Sequence, residues 1–244
     1  MPLSASTLFH FTDSKDSIKK ILEENFKVFY CKETPHLGDN KLIFYVPMVS
    51  FCDIPLSEVK EHISKYGKYG IGLTKNWGGI NGLNPVLYVS KNSFLSTSYI
   101  CAARHFADVE TLDDLSNEQK SLVDVLRYIK SYEADLTRKG ITTPNYRFSD
   151  EREWRFVPPH SESCPMIIDQ EFYTNNKDFC DKSLSGIRLA FEPNDIKYII
   201  INDDSEITEF LDHLRHTKGK TYSFHDVERL MTRILTFEQI RDDI

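Results

Sequence analysis

The stretch SDEREWRF, residues 149–156, sets Glu151 and Glu153 two apart and follows them with Trp154 and Arg155. On a β-strand, residues i and i+2 share a face, so the two carboxylates would stand side by side, with Arg152, Trp154 and Phe156 on the other face. Adjacent carboxylates repel and are costly to desolvate. Such a pair either forms a solvated edge balanced by Lys or Arg, or does chemistry.

Three further places carry candidate chemistry. His10 in LFHFT shares a strand face with Leu8; its ring can bond a ligand hydroxyl or simply satisfy the backbone. Ser50 interrupts the apolar run VPMVSFCDIP (46–55), where a serine bonds backbone or supports a ligand, while Asp53 and Pro55 shape the turn. Tyr66 and Tyr69 sit beside glycines in HISKYGKYGIGL, a pattern that fits ring stacking on a flat ligand as well as core packing. Other signals carry nothing. GGINGLN lacks the G-K-[ST] ending of a phosphate loop. His213 and His216 lack a third metal ligand, and no G-x-S-x-G nucleophile motif occurs.

The elements that must hold these residues follow from periodicity. LFHFT (8–12) reads as a strand, and Thr12 or Asp13 as the cap of a helix with Ile18, Ile21, Leu22 and Phe26 on one face. Strands are expected near 26–31 and over 46–55, with the loop KETPHLGDNK between them. LSEVKEHISKYG (56–67) reads as a helix stopped by Gly67. YGIGLTKNW (69–77) and NPVLYVSK (84–91) read as a hairpin around GGINGLN. Residues 92–140 read as a helical insertion, a lid or binding flank, because Leu122, Val125, Leu126, Ile129 and Leu136 recur at helical spacing up to Gly140. REWRFVP (152–158), IRLAF (187–191) and IKYIII (196–201) read as strands. Three helices then close the chain: SEITEFLDHLRH, SFHDVERLMTRIL and FEQIRDDI. Strands and helices do not alternate strictly, which predicts an α+β fold.

The 244 residues suit a single domain with an insertion. A net charge of −7 disfavours a module that grips nucleic acid over a broad face. The five cysteines are odd in number, widely spaced and without C-x-x-C, which predicts neither a disulfide framework nor a cysteine metal site and fits the reducing cytoplasm. No apolar run is long enough to suggest a membrane helix, and no signal peptide is apparent.

The order L-F-H-F-T, I-L-E-E-N-F, V-S-F-C-D-I-P-L, Y-G-I-G-L, D-E-R-E-W-R-F resembles the AbiGi family of abortive-infection proteins, from Leu8 to about Asn202. That resemblance implies a phage-defence role, usually as the antitoxin of a toxin–antitoxin pair. The layout is more distantly similar to ADP-ribosyltransferase-like domains. This second resemblance implies a mixed-sheet core that takes NAD as substrate, no metal, and a nucleic-acid or protein acceptor. It assigns Glu153 and Glu151 to catalysis and His10, Thr12, Ser50, Tyr66 and Tyr69 to NAD, with Ser50, Tyr66 and Tyr69 competing for the middle position. Cleavage of the ribose–nicotinamide bond builds positive charge on the ribose, which a carboxylate at Glu153 would stabilise. The rival expectation is a catalytically silent antitoxin that binds a cognate toxin.

Overall fold

The computed structural model describes residues 5–105, 114–138, 140–161 and 164–243. The chain opens with β1 (Thr7–Thr12), α1 (Lys15–Glu24), β2 (Phe26–Lys27), β3 (Phe29–Glu33), β4 (His36–Leu37), β5 (Asn40–Lys41) and β6 (Phe44–Cys52). It continues with α2 (Val59–Tyr66), β7 (Tyr69–Thr74), α3 (Lys75–Ile80), β8 (Asn84–Pro85), β9 (Leu87–Val89) and α4 (Phe94–His105). Next come α5 (Asn117–Tyr128), β10 (Ile129–Ser131), β11 (Glu133–Arg138), β12 (Ile141–Arg147) and β13 (Glu153–Phe156). β14 (Ile168–Asp169), α6 (Gln170–Asn175), α7 (Lys177–Ser183), β15 (Arg188–Leu189) and β16 (Ile196–Ile201) follow. The chain closes with α8 (Ile207–Lys218), α9 (Phe224–Met231), β17 (Ile234–Thr236) and α10 (Phe237–Asp243). The mixture of sheet and helix is α+β, as the sequence order predicts.

Two compact units divide the chain. The first holds residues up to Lys27, Val49–Asn84 and the chain from Ile187; the second holds Val28–Met48 and Pro85–Gly186. In the first unit β7 lies between β1 and β16, antiparallel to both, and β17 runs parallel to β16. Alternation along β1 sends Phe9 to one sheet face, into a cluster with Cys52, Ile54, Val59, Ile63, Ile200 and Ile240. His10 points the other way, toward Phe26 and Phe51. The glycines of YGIGL have a packing reason. A Cβ on Gly70 would come within 2.8 Å of the Phe11 ring, and one on Gly72 within 2.8 Å of the Phe9 ring. The space they leave is filled by the protein's own aromatic side chains.

In the second unit β3 and β14 each pair antiparallel with the Phe44–Met48 stretch of β6. β9 pairs parallel with β10, and β11 with β12 as a separate hairpin. Phe44, Val46 and Met48 form one core cluster; Leu37, Val89, Tyr99 and Ile129 form another.

Four expectations are corrected. The helix cap is Ser14, whose hydroxyl accepts from Ser17 N; Thr12 only receives a weak bond from Ser14 N at 3.4 Å. The hairpin around GGINGLN is absent, because Thr74 accepts from Trp77 N and starts α3 there, while β7 pairs with β1 and β16. The long helix through 122–136 ends at Tyr128. Extended Ile129 leaves it, β10 pairs with β9, and Gly140, at φ 80°, belongs to the hairpin turn and not to a helix end. Residues 106–113 of the expected insertion lie outside the described residues. Finally, MTRIL does not stay helical: Ile234–Thr236 is a strand, since its β-branched residues gain a parallel partner in β16.

Candidate functional site

Glu151 and Glu153 are not neighbours on one strand face. Glu151 ends a short 3-10 turn, Phe148–Glu151, and Arg152 adopts a left-handed φ of 45° before Glu153 opens β13. Both carboxylates nevertheless converge on one ammonium. Lys130 Nζ donates to Glu151 Oε2 at 2.9 Å and to Glu153 Oε2 at 2.5 Å. The other oxygen of Glu153 accepts from Arg155 Nε at 2.6 Å. Arg155 also donates through Nη2 to Glu33 Oε1 and through Nη1 to the Arg127 carbonyl, both at 2.8 Å.

Aromatic groups frame this cluster. Tyr146 Oη donates to Glu151 at 3.1 Å, Glu153 N donates to Tyr88 Oη at 2.8 Å, and Lys130 Nζ lies 5.1 Å from the centre of the Phe148 ring. Arg155 is fully enclosed, and Glu151 and Glu153 are 5% and 6% exposed. Three carboxylates (Glu33, Glu151, Glu153) face two cations (Lys130, Arg155), so with all ionised the cluster carries −3 + 2 = −1.

The electrostatics set each group's role. Burial pushes the Glu153 carboxyl upward, but Arg155 and Lys130 outweigh it and hold the group well below the usual carboxylate range. Burial raises Glu33 and Glu153 raises it further; Arg155 and Lys130 offset this only in part, so it sits above that range. Lys130 loses by desolvation yet is held above its ordinary value by Glu153, Glu151 and Glu33. Glu153 is thus an ionised anchor with both oxygens engaged, and Glu33 is the carboxyl inclined to hold a proton.

The candidates in the first unit are satisfied from within. His10 Nδ1 lies 2.9 Å from the Ser50 carbonyl, which can only accept, so Nδ1 carries the proton. Burial lowers the His10 pKa against that bond, keeping the ring neutral with Nε2 as an acceptor. Tyr66 stacks on His62 with ring centres 5.7 Å apart. Tyr69 Oη donates to Glu206 at 2.9 Å, its ring lies over Phe210, and burial followed by Glu206 pushes its phenol up to about 12. Of the residues expected to bind NAD, the fold joins His10 to Ser50 and turns both tyrosines toward other partners.

Sequence reasoning missed Glu33, Lys130, Tyr88 and Tyr146. The sequence pattern reads Glu33 as loop and Lys130 as helix; strand alternation in FYCKE is the signal for Glu33, while the three residues of IKS are too few to give one for Lys130. Among the described residues no three His, Cys, Asp or Glu side chains group to hold a metal ion, and no helix is long and apolar enough to cross a membrane.

Fold and site together define a two-unit α+β protein whose second unit is built around a buried ion-pair cluster. The chain matches the family model "Putative abortive phage resistance protein AbiGi, antitoxin" over residues 18–202. It is also 28% identical over 226 residues to the abortive phage resistance protein AbiGi of Lactococcus lactis subsp. cremoris, covering 82% of this chain and 89% of that one. The chain belongs to the AbiGi family. No solved structure matches it.

Proposed function

We propose that this chain serves abortive phage resistance as an antitoxin, binding and neutralising a cognate toxin protein. The family match over residues 18–202 carries this reading. The state of Glu153 agrees with it. A carboxylate that stabilises a ribose cation must be offered to substrate, and here both oxygens are held by Arg155 and Lys130.

A second reading is an NAD-dependent ADP-ribosyltransferase acting on nucleic acid or protein. Its support is the bond between His10 and Ser50, two of the positions that the transferase resemblance singles out. Co-expression separates the two. The antitoxin reading expects growth arrest caused by the toxin alone to be relieved by this chain, and equally by its Glu153→Asp variant where that variant folds. Failure to rescue, joined to saturable NAD binding in calorimetry, would move the assignment to the transferase.

A further inference from the structure

One stripe of side chains anchors α6 and α7 to the second unit. Tyr173 stacks on Tyr45 of β6 with ring centres 3.9 Å apart and lies 6.0 Å from Tyr30 of β3. Further along the same stripe Cys180 and Leu184 are buried. The two short helices nearly continue one another, since Asn176 N donates to the Phe172 carbonyl and Cys180 N to the Asn176 carbonyl. A step of seven residues returns close to the same side of a helix. Phe172 directly precedes Tyr173 and Phe179 directly precedes Cys180, so both phenylalanines stand on one flank of the anchored stripe. They are 45% and 69% exposed. From Asp169 to Phe179 every residue but Tyr173 is exposed. A single apolar side chain in water is ordinary; two rings along one flank form a patch.

The patch is set among acids. From Asp169 to Lys182 the chain carries four carboxylates and two lysines, a net charge of −2. Lys177 is committed to Asp181, which also accepts from Tyr173 Oη at 3.2 Å. Asp169, Glu171 and Asp178 are then opposed by Lys182 alone. Such a face repels a second copy of itself, a nucleic-acid backbone and an anionic membrane, and it complements a basic protein surface. Phe94 and Leu95, also exposed, offer no such signal: the only charged residues of α4 are Arg104 and His105 at its far end.

We propose that α6 and α7 form the face that docks the cognate toxin, with Phe172 and Phe179 entering an apolar pocket whose rim is basic. This assignment rests on the antitoxin reading. Aromatic anchors carry most of the energy of such interfaces, while the acids around them speed and orient the encounter.

The probe is the toxin whose growth arrest the whole chain relieves, first co-expressed and then purified for calorimetry. Phe172→Ser with Phe179→Ser is expected to weaken toxin affinity about tenfold or more and to abolish relief, with the thermal midpoint unchanged. Glu171→Lys with Asp178→Lys should weaken it too, and should remove the salt dependence that the wild-type complex shows. Phe224→Ser, at a residue 76% exposed on α9, should bind as wild type does. Wild-type affinity in the Phe172/Phe179 variant would overturn the docking face while leaving the antitoxin reading intact. A charge-reversed variant that binds as wild type does would overturn the basic partner surface. No relief of arrest by the wild-type chain would overturn the antitoxin reading itself, and the docking face with it.

Discussion

Arg155 donates through Nε to Glu153, two residues earlier on the same strand, at 2.6 Å. The period of a strand puts both side chains on one face, and the guanidinium then reaches on to Glu33. The arginine two residues after Glu153 is therefore part of the same device. Arg155 neutralises the second glutamate from within its own strand, while Lys130 arrives from β10 to bridge both carboxylates.

Glu153→Gln is isosteric but removes the charge that Arg155 and Lys130 share. Breaking a buried pair by neutralising one partner costs about 3–5 kcal/mol, because the remaining charge stays buried. Urea unfolding is expected to show a loss of that order. Arg155→Met should cost a similar amount by stranding Glu33 and Glu153. A Glu153→Gln midpoint equal to wild type would remove the cluster from the stability of the second unit.

The pH dependence has two opposed limbs. Glu153 is depressed in the folded state, so its contribution is present above the ordinary carboxylate value of about 4.3 and is lost as pH falls through its folded value. Glu33 is raised, so its contribution is fully present below that ordinary value and is lost as pH rises through its folded value. Unfolding midpoints measured from acid to neutral pH should show the wild type losing stability relative to Glu33→Gln as pH rises. Parallel profiles for the two proteins would exclude Glu33 as the group responsible.

Much of the fold is legible in the sequence, and the parts that are not share a cause. β1, α1, α8 and β16 follow their own periodicity, and local pattern and tertiary partner agree there. β10 and β17 do not. Each is three residues long, follows an amphipathic helix, and becomes a strand because a parallel neighbour is waiting for it. No window over Lys130 or Leu235 contains that neighbour. The site is half legible for the same reason: Glu151, Glu153 and Arg155 stand in one motif, but Glu33 reaches Arg155 from about 120 residues away, and Lys130 reaches both motif glutamates from about 20, through pairings that only the folded chain makes.

His10 offers a titration. Its pKa is lowered by burial, so the neutral ring is the folded form; the stability it contributes is present above the ordinary histidine value of about 6.5 and is lost as pH falls through the folded value. An NMR titration should place His10 below the ordinary histidine value and show the Nδ1–H tautomer bonded to the Ser50 carbonyl. A His10 that titrates at or above the ordinary value would contradict a satisfied structural ring and reopen the case for a ligand-facing one.

The two glycines of YGIGL should differ in what they tolerate. An added Cβ at Gly72 meets Phe9 at 2.8 Å and Thr7 at 2.9 Å; at Gly70 it meets Phe11 at 2.8 Å. Phe9 is 1% exposed and stacked between Phe11 and Tyr198, with ring centres 5.7 and 5.8 Å away, so it has nowhere to move. Phe11 is only partly buried and can swing outward. Overpacking of a tight core costs about 1–3 kcal/mol. Gly72→Ala should therefore fall toward the upper end of that range and Gly70→Ala toward the lower. Phe11→Leu should relieve the Gly70 variant but not the Gly72 one. Equal losses at both glycines in a thermal melt would mean that strand entropy, and not the fixed Phe9 ring, sets their cost.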